Sequence, residues 1–572
     1  MKTHITINVF MVAGTLAFAQ YKEISFEERH DRQSFAAPRE WVRRYNGPAN
    51  LQDFPSAIAV DDSGNIHVTG YSDTINSYDI ATIKYNSAGA TQWVARYSHG
   101  FGKALVADHE GNVYVTGHSS GDCITLKYDR HGKRLWAARY NGPANDDDNA
   151  NAIAVDDSGN VYMTGYSSNT HSSYAGYDYI TIKYDSAGKT QWTARYNGPS
   201  NNLDIAVALA VDALGNVYVT GHSSTVWYYS DYVTVKYSSA GVQQWAARYD
   251  GLAHRNDHPK ALALDANGNI YVTGWSVNAN NNGDYATVKY NPTGIQQWVA
   301  RYDGPLHNGE QANALTIDGS GHVYVTGYSF GLQGYEDYAT IKYNSAGTQQ
   351  WIARYNGPAN YKDHANGIVV DGFGNLYVTG HSFGLHGYAD FVTVKYNNAG
   401  IRQWVDRYKG PKGHVDEAVA LAVDKTGNLY VAGFSSDWVG NTNYVTIKYP
   451  ASAASSASSS RSLTESEDER QVDSTLPAQF DLAQNYPNPF SQIPRFAGNP
   501  GTTIRFDMPV AGKVNLTIYN LRGELVRTLV DEEMAAGYHH VAFEANHLAA
   551  GIYFYRMAAG TYAMTRKMIL QK

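Results

Sequence analysis

One phrase recurs along this 572-residue chain and limits the folds available to it. Residues 318–329 read DGSGHVYVTGYS, and close variants appear in seven other places. The glycines that end the VTG-like phrases lie at 70, 117, 165, 221, 274, 327, 380 and 433, so that successive glycines are 47, 48, 56, 53, 53, 53 and 53 residues apart. A period of this length is typical of propellers, solenoids and other repeat arrays.

Each repeat contains four short runs that favour β-strands. In residues 298–343 they read WVARY, ALTID, VYVTGYS and DYATIKY, and all are rich in Val, Ile, Tyr or Thr and bounded by turn residues. Between the second and third runs, DGSG at 318–321 has the composition of a tight turn. Four antiparallel strands in about 50 residues predict one blade of a β-propeller. We therefore expect an all-β chain with an eight-bladed β-propeller over residues 41–449.

The order of the runs also predicts how the ring closes. The first repeat begins at Trp41 with the outer strand of a blade, and the last supplies only three strands before Tyr449. We expect these two segments to complete one shared blade, which leaves no exposed sheet edge.

These residues resemble the SBBP family of β-propeller repeats. More loosely they resemble NHL repeats, whose D-x-x-G-N-x-Y-V phrase is present from Asp212 to Val219. The resemblance covers about 41–449 and implies a propeller, but no particular chemistry. The SBBP name implies seven blades, whereas the repeats counted here number eight; a seven-bladed ring is the alternative.

The segments outside the repeats indicate export. Residues 1–19 have a basic start, an apolar stretch and a closing Ala-Phe-Ala, as a cleaved signal peptide does. The alternative is an uncleaved anchor, but the apolar stretch is shorter than the roughly 20 residues a spanning helix needs, so we expect no transmembrane segment after cleavage. The only cysteine, Cys123, excludes an intrachain disulfide and is expected to be a small buried hydrophobe.

The C-terminal part is expected to form a linker and a second domain. Residues 450–477 are rich in serine and then in charges, without an apolar period, which predicts a flexible linker. Residues 478–572 contain alternating runs such as KVNLTIYN and GIYFYRM, which predict a small Ig-like β-sandwich.

This domain resembles the C-terminal sorting domain of type IX secretion. The resemblance rests on the NYPNPF motif, on the following TIRF, YN and GIY segments and on the closing Lys567-Met568; the motif consists of Asn485, Tyr486, Pro487, Asn488, Pro489 and Phe490. It implies delivery by the type IX machinery across the outer membrane, with release or attachment at the cell surface, and often cleavage of the domain. Ten residues, SQIPRFAGNP, separate Phe490 from the next strand, a longer gap than usual. The alternative is an ordinary Ig-like accessory module.

Composition and motifs exclude several classes of function. The net charge of −8 offers no basic face for phosphates, so no nucleic-acid partner is expected. The sequence has no G-x-S-x-G elbow, H-E-x-x-H pair, P-loop or EF-hand loop, and its histidines are scattered. We expect no cofactor, leave a metal requirement open, and favour a binding protein over an enzyme.

Two sets of recurring residues are candidates for ligand binding at the mouth of the central channel. A carboxylate lies eight residues before the Asp that ends each ALTID-type strand in seven repeats: Asp53, Asp148, Asp204, Asp257, Glu310, Asp363 and Asp416. Gly100 takes its place in the second repeat. An aromatic residue or histidine follows each VTG glycine: Tyr71, His118, Tyr166, His222, Trp275, Tyr328, His381 and Phe434. Both sets are expected to open toward the same face.

The two sets admit a functional and a structural interpretation. In the functional one, they form a cup for a sugar chain, a cation or a basic peptide end. In the structural one, each carboxylate caps the loop between blades and each aromatic packs on its neighbour. We expect an exported or cell-surface monomer that binds an extracellular carbohydrate or protein ligand through one face of the ring. The alternatives are an extracellular polysaccharide lyase or hydrolase and a structural surface or adhesion component.

Recurring charges predict ion pairs between strands. An arginine lies three residues after each repeat tryptophan, and an aspartate begins the DYATIKY-type strand in seven repeats, with Asn443 in the eighth. Because such groups are costly to bury singly, we expect each arginine to pair with an aspartate within or between blades.

Overall fold

The structure is a computed structural model that describes residues 39–169, 176–225, 229–451, 480–482, 490–491, 502–535, 537–543, 545, 548–560 and 562–571. The expected signal peptide and almost all of the expected linker lie outside the described residues. The chain divides into two compact units, 1–455 and 456–572.

The first unit contains eight four-stranded antiparallel sheets, which we number blades 1 to 8 in the order of their first strands. The first strands are β2 (Asp53–Val60), β6 (Gly100–Ala107), β10 (Asp148–Val155), β14 (Asp204–Val211), β18 (Asp257–Leu264), β22 (Gln311–Ile317), β26 (Asp363–Val370) and β30 (Asp416–Val423). The second strands are β3 (Ile66–Asp73), β7 (Val113–Ser119), β11 (Val161–Ser168), β15 (Val217–Ser224), β19 (Ile270–Val277), β23 (Val323–Phe330), β27 (Leu376–Phe383) and β31 (Leu429–Ser436).

The third and fourth strands complete each blade. The third strands are β4 (Tyr78–Tyr85), β8 (Asp122–Tyr128), β12 (Tyr177–Tyr184), β16 (Ser230–Tyr237), β20 (Gly283–Tyr290), β24 (Glu336–Tyr343), β28 (Ala389–Tyr396) and β32 (Thr442–Tyr449). The fourth, outer strands are β5 (Thr91–Ser98), β9 (Arg134–Tyr140), β13 (Thr190–Tyr196), β17 (Gln243–Tyr249), β21 (Gln296–Tyr302), β25 (Gln349–Tyr355), β29 (Arg402–Tyr408) and, in blade 8, β1 (Trp41–Tyr45).

The blades form a closed ring. Each first strand contacts the first strand of the next blade, and β30 of blade 8 contacts β2 of blade 1. Blade 8 is completed by β1, which pairs antiparallel with β32 and places Trp41 opposite Lys448. The shared blade expected from the sequence is therefore confirmed. The ring has eight blades rather than seven.

The geometry of the first three strands explains the repeated VTG phrase. In blade 6, Val325 is fully buried, and the hydroxyls of Thr326 and Thr340 lie 2.9 Å apart across two strands. A bulge between Ala312 and Ala314 pushes the backbone toward Gly327, so that a Cβ at this position would overlap the Gln311 carbonyl oxygen. Glycine is required there because it has no Cβ.

Side chains from one blade also bond to the next. The Trp298 indole N–H of blade 5 donates to the Ser345 carbonyl of blade 6 at 3.1 Å, and Lys289 Nζ donates to the same oxygen at 3.1 Å. Gly347 in that turn has φ +80° and lies against the indole ring. Fully buried Tyr285 donates to the Ala339 carbonyl at 3.1 Å. The repeated Trp, Lys-Tyr and turn glycine thus act at the blade junctions.

The second unit contains two sheets. Its strands are β33 (Asp481–Leu482), β34 (Phe490–Ser491), β35 (Thr502–Met508), β36 (Gly512–Asn520), β37 (Leu525–Met534), β38 (Gly537–Phe543), β39 (Gly551–Ala559) and β40 (Tyr562–Gln571). One sheet has the order β33-β35-β38 and the other β34-β40-β39-β36-β37. A core that includes Leu516, Ile518 and Tyr555 is buried here. The Ig-like classification stays a prediction.

The sorting motif is described only at its end. Phe490 lies in β34, which pairs parallel with β40 and places Phe490 opposite Leu570. Residues 485–489 lie outside the described residues. In the part of the chain that the structure describes, no helix is long and apolar enough to span a membrane.

Candidate functional site

The two faces of the ring are built differently. The lower face carries the short turns between first and second strands and between third and fourth strands. In one of them, Asp318 Oδ1 accepts the backbone N–H groups of Ser320 and His322 at 2.9 and 3.0 Å. The upper face carries the loops between blades and the loops between second and third strands, and where the latter are described in full they range from two residues (120–121) to five (331–335). Differences between repeats are therefore concentrated on the upper face, as is typical of binding surfaces on rigid scaffolds.

The seven predicted carboxylates lie beneath the loops between blades. Asp53, Asp148, Asp204, Asp257, Glu310, Asp363 and Asp416 are each at most 2% exposed. The six aspartates accept the backbone N–H of the glycine six residues earlier, as Asp363 does from Gly357 at 2.6 Å. These bonds fix the loops, which is the structural role considered above. Direct contact of these carboxylates with a ligand stays a prediction.

Burial changes the protonation of these carboxylates. It raises the pKa of Asp204, Asp257, Asp363 and Asp416 to about 6. Burial raises the pKa of Glu310 to about 8, and the neighbouring carboxylates of Asp303 and Asp284 add to this rise. The loops are consequently held by groups that resist ionisation.

The predicted aromatic ring is one half of a larger ring. Tyr71, His118, Tyr166, His222, Trp275, Tyr328, His381 and Phe434 are all partly exposed. Opposite them on the first strands lie Phe54, Phe101, Asn149, Ile205, His258, Gln311, His364 and Glu417. The rings pack in separate stretches, and the longest runs through Phe434, Phe54, Tyr71, Phe101 and His118, with 5.3 Å between the centroids of Phe54 and Tyr71 and 4.6 Å between those of Tyr71 and Phe101.

The second half of this ring was not predicted from the sequence. The signal was the residue that directly follows each carboxylate position, which is Phe, Asn, Ile, His, Gln or Glu and therefore shows no single chemistry. Strand pairing alone brings each of these residues beside its partner.

Two neighbouring histidines of the larger ring, His222 and His258, are uncharged near neutral pH. His258 stacks between His222 at 4.4 Å and Trp275 at 4.7 Å, with an interplanar angle of 6° to the indole. Burial lowers the pKa of His222 to about 3 and that of His258 to about 4. This part of the upper face therefore presents flat, uncharged rings.

The second repeat breaks the symmetry of the upper face. Between β5 and β6 the connection is one residue, His99, whereas 303–310 joins β21 to β22. The residues that are missing precede the carboxylate position, which Gly100 occupies. A cleft of about 400 Å³ is present here, at the junction of blades 1, 2 and 3, and is lined by Asn76, Ser77, Tyr78, His99, His118, Ser120, Gly121, Asp147 and Asn149. A second cleft of about 330 Å³ shares His99 and Ser120 and is lined also by Arg96, Tyr97, Arg134 and Arg139.

The larger cleft combines aromatic and polar groups. The Tyr78 ring lies 3.9 Å from that of Phe101, which in turn contacts Tyr71. His118 Nδ1 is buried without a hydrogen-bond partner, and burial lowers the pKa of this imidazole. A neutral imidazole and the Asp147 and Asn149 side chains thus provide hydrogen-bonding groups beside an aromatic surface. Such a combination is typical of small-molecule sites, whose volumes are roughly 300–1,000 Å³.

Family models match both units. The β-propeller repeat model matches residues 40–79, 135–171, 191–225 and 350–384, and the model of the secretion system C-terminal sorting domain matches 484–571. The chain is a β-propeller repeat protein with a type IX sorting domain. A sorting domain of this kind directs export, so this repeat protein is secreted or located at the cell surface. No curated protein matches the chain.

Several solved structures are similar to the repeat protein. PorZ, described as an essential surface component of the type IX secretion system of Porphyromonas gingivalis, is 13% identical over 89% of this chain and 73% of its own, with a TM-score of 0.34. The Dos1 propeller is 10% identical over 71% of this chain and 95% of its own, with a TM-score of 0.46. The polysaccharide lyase Uly1 is 11% identical over 60% of this chain and 89% of its own, with a TM-score of 0.40. At these TM-scores, the similarities support no argument about function.

Proposed function

We propose that this exported repeat protein binds an extracellular carbohydrate in the upper-face cleft at blades 1 to 3. The observation that carries the proposal is the one-residue connection at His99. Other blade junctions have a longer loop at this place, and here the larger cleft lies instead. A site that differs from its seven counterparts is a better candidate for specific binding than any position repeated around the ring.

The chemistry of the cleft favours a sugar. Tyr71, Tyr78 and Phe101 form an aromatic cluster on which the C–H face of a pyranose ring would pack. Asp147, Asn149 and His118 would bind the hydroxyl groups. The buried carboxylates, including Asp148, would act indirectly by holding the loops around the cleft in place.

Binding is tested with a glycan array, followed by titration calorimetry with the sugar that binds most strongly. Tyr78→Ala and Asp147→Ala are expected to weaken binding tenfold or more, equivalent to about 1.4 kcal/mol each. Tyr335→Ala is the matched control, because Tyr335 is also exposed near the start of a third strand and packs on an aromatic ring, Tyr361, but lies in blade 6. Equal losses in all three variants, or no binding of any glycan, would contradict the proposal.

The same experiment separates the other functions. Binding of an extracellular protein but no glycan would assign the cleft to a protein ligand. Release of sugar fragments from a polysaccharide would assign the activity of a lyase or hydrolase. Retained cell-surface assembly without binding or turnover would support a structural role.

We also propose the route of export. Residues 1–19 would be removed on passage through the inner membrane, and residues 478–572 would direct passage through the outer membrane by the type IX machinery, with 450–477 as the linker. Deleting 478–572 should leave the propeller inside the cell envelope, whereas the full chain should be found outside it. Equal distribution of the two forms would contradict this route.

A further inference from the structure

Two neighbouring blade junctions each bring three carboxylates together on the upper face. At the junction of blades 4 and 5 they are Asp231, Asp250 and Asp257; at the junction of blades 5 and 6 they are Asp284, Asp303 and Glu310. Each member of the second group lies 53 residues after its counterpart in the first. Within each group, one oxygen atom from every residue lies within 4.8 Å of the corresponding oxygen atoms of the other two.

We propose that each of these junctions binds one divalent cation of the calcium type. Calcium–oxygen distances are about 2.3–2.6 Å, so two oxygens on the same ion lie at most about 5 Å apart, and the three oxygens at each junction meet this limit. Carboxylate oxygens with no sulfur or nitrogen ligand favour a hard cation over zinc or copper. Water would complete the coordination on the exposed side, where Asp250 and Asp303 lie.

Charge at each junction matches a divalent ion. Arg248 contacts Asp231 at 2.8 Å, and Arg301 contacts Asp284 at 2.8 Å. Three carboxylates and one guanidinium leave a net charge of −2 when all are ionised. A divalent cation would neutralise this charge.

Buried oxygens without partners are the second, independent observation. Glu310 is 2% exposed, and neither of its carboxylate oxygens has a hydrogen-bond partner. Asp257 is fully buried; its Oδ2 accepts the Gly251 N–H at 2.6 Å, but its Oδ1 has no partner. An unpartnered Oδ1 is also found in Asp148, Asp204, Asp363 and Asp416, so the observation that is specific to these junctions is the pair of unpartnered oxygens on Glu310. A buried carboxylate oxygen that has lost water without gaining a donor is destabilising, and a bound cation would remove this cost.

The remaining junctions show what the third carboxylate adds. Where Asp250 and Asp303 stand, four other repeats have Asn46, Asn141, Asn197 and Asn356. Each of these asparagines donates to another asparagine four residues later, as Asn356 does to Asn360 at 3.0 Å. Asp250 and Asp303 instead contact His254 and His307 at 2.6 and 2.7 Å. If no cation binds, the role of Asp250 and Asp303 is to hold the loop through these histidine contacts, as the asparagine pairs do in the other repeats.

Calcium titration calorimetry and terbium luminescence on the chelator-treated full chain test the proposal. Two sites are expected, with dissociation constants on the order of 10⁻⁴ M, as is typical of extracellular calcium modules. Asp250→Asn and Asp303→Asn should each remove one site, and the double variant should bind none. All three should fold, because asparagine occupies this position in four other repeats.

His307→Asn is the matched control, since it removes the loop contact and keeps all three carboxylates. It should retain both sites. The proposal would be overturned if the wild-type chain bound neither ion at millimolar concentration, if the double variant kept the same stoichiometry, or if His307→Asn abolished binding as fully as Asp303→Asn does.

Discussion

Arg195 Nη2 donates to Asp178 Oδ2 at 2.9 Å within blade 3, while its Nη1 reaches the hydroxyl of Tyr140 in blade 2 at 3.2 Å. The pairing of arginine with aspartate within a blade is confirmed in seven blades: Arg96–Asp79, Arg139–Asp122, Arg195–Asp178, Arg248–Asp231, Arg301–Asp284, Arg354–Asp337 and Arg407–Asp390. In blade 8, where Asn443 replaces the aspartate, Arg44 donates to the Tyr408 hydroxyl.

Removing a partly buried arginine of this set should be costlier than removing a more exposed one. Arg195→Ala leaves Asp178, which is 6% exposed, without its cationic partner and should lower the free energy of unfolding by about 2–3 kcal/mol. Arg139 is 40% exposed, so Arg139→Ala should cost about 1 kcal/mol or less. Urea unfolding measures both, and equal costs would show that burial does not decide the contribution of these pairs.

Two glycines of one repeat should differ sharply in their tolerance of a methyl group. Gly327→Ala places a Cβ against the Gln311 carbonyl and should cost about 3 kcal/mol through displacement of the bulged strand. At Gly319 a Cβ would meet no atom within 4 Å, so Gly319→Ala should change stability by less than about 0.5 kcal/mol. Thermal unfolding of the two variants checks the difference. A tolerated Gly327→Ala would mean that the bulge relaxes freely.

Closure of the ring should depend on β1. Trp41 is 7% exposed and donates from its indole N–H to the Ser87 carbonyl of blade 1 at 3.1 Å. Trp41→Ala should cost about 3–5 kcal/mol, as is usual for a large buried aromatic residue. Deleting residues 39–45 should cost more and promote aggregation, because β32 then becomes an open edge. Light scattering detects the aggregate; a monodisperse deletion variant with unchanged unfolding would contradict the role of this strand.

Stability should fall with rising pH through the titration of Glu310. The folded-state pKa of about 8 lies above the ordinary glutamate pKa of 4.5, so the folded chain retains this proton after the unfolded chain has lost it. The contribution is complete below pH 4.5 and is lost as the pH rises through 8. The experiment measures the unfolding free energy of Glu310→Gln and of the wild type at pH 5 and at pH 9, both in the presence of a chelator. Between these two pH values the wild type should lose on the order of 3 kcal/mol relative to the variant, which has no proton to lose at this position. A difference that does not change with pH would contradict a proton on Glu310.

Much of the propeller could be predicted from sequence because its information is local and repeated. Alternating apolar residues and turn chemistry defined four strands in each repeat, and the positions of Trp41 and Tyr449 defined how the ring closes. Cys123 is buried, as expected. The arginine–aspartate pairs followed from the cost of burying an unpaired charge, although only the strand register, with Ile180 opposite Arg195, showed that they lie within blades.

The candidate sites depended on tertiary structure because their residues are brought together by strand pairing and by the junctions between blades. His118 and Asp147 line one cleft only because the connection at His99 is short, and the sequence recorded this solely as Gly100 at the carboxylate position. Asp231 and Asp257 meet across a blade junction through no contiguous motif. Local periodicity specifies strands and their number; the direction of each side chain and the space left between blades follow from packing, which the sequence of one repeat does not contain.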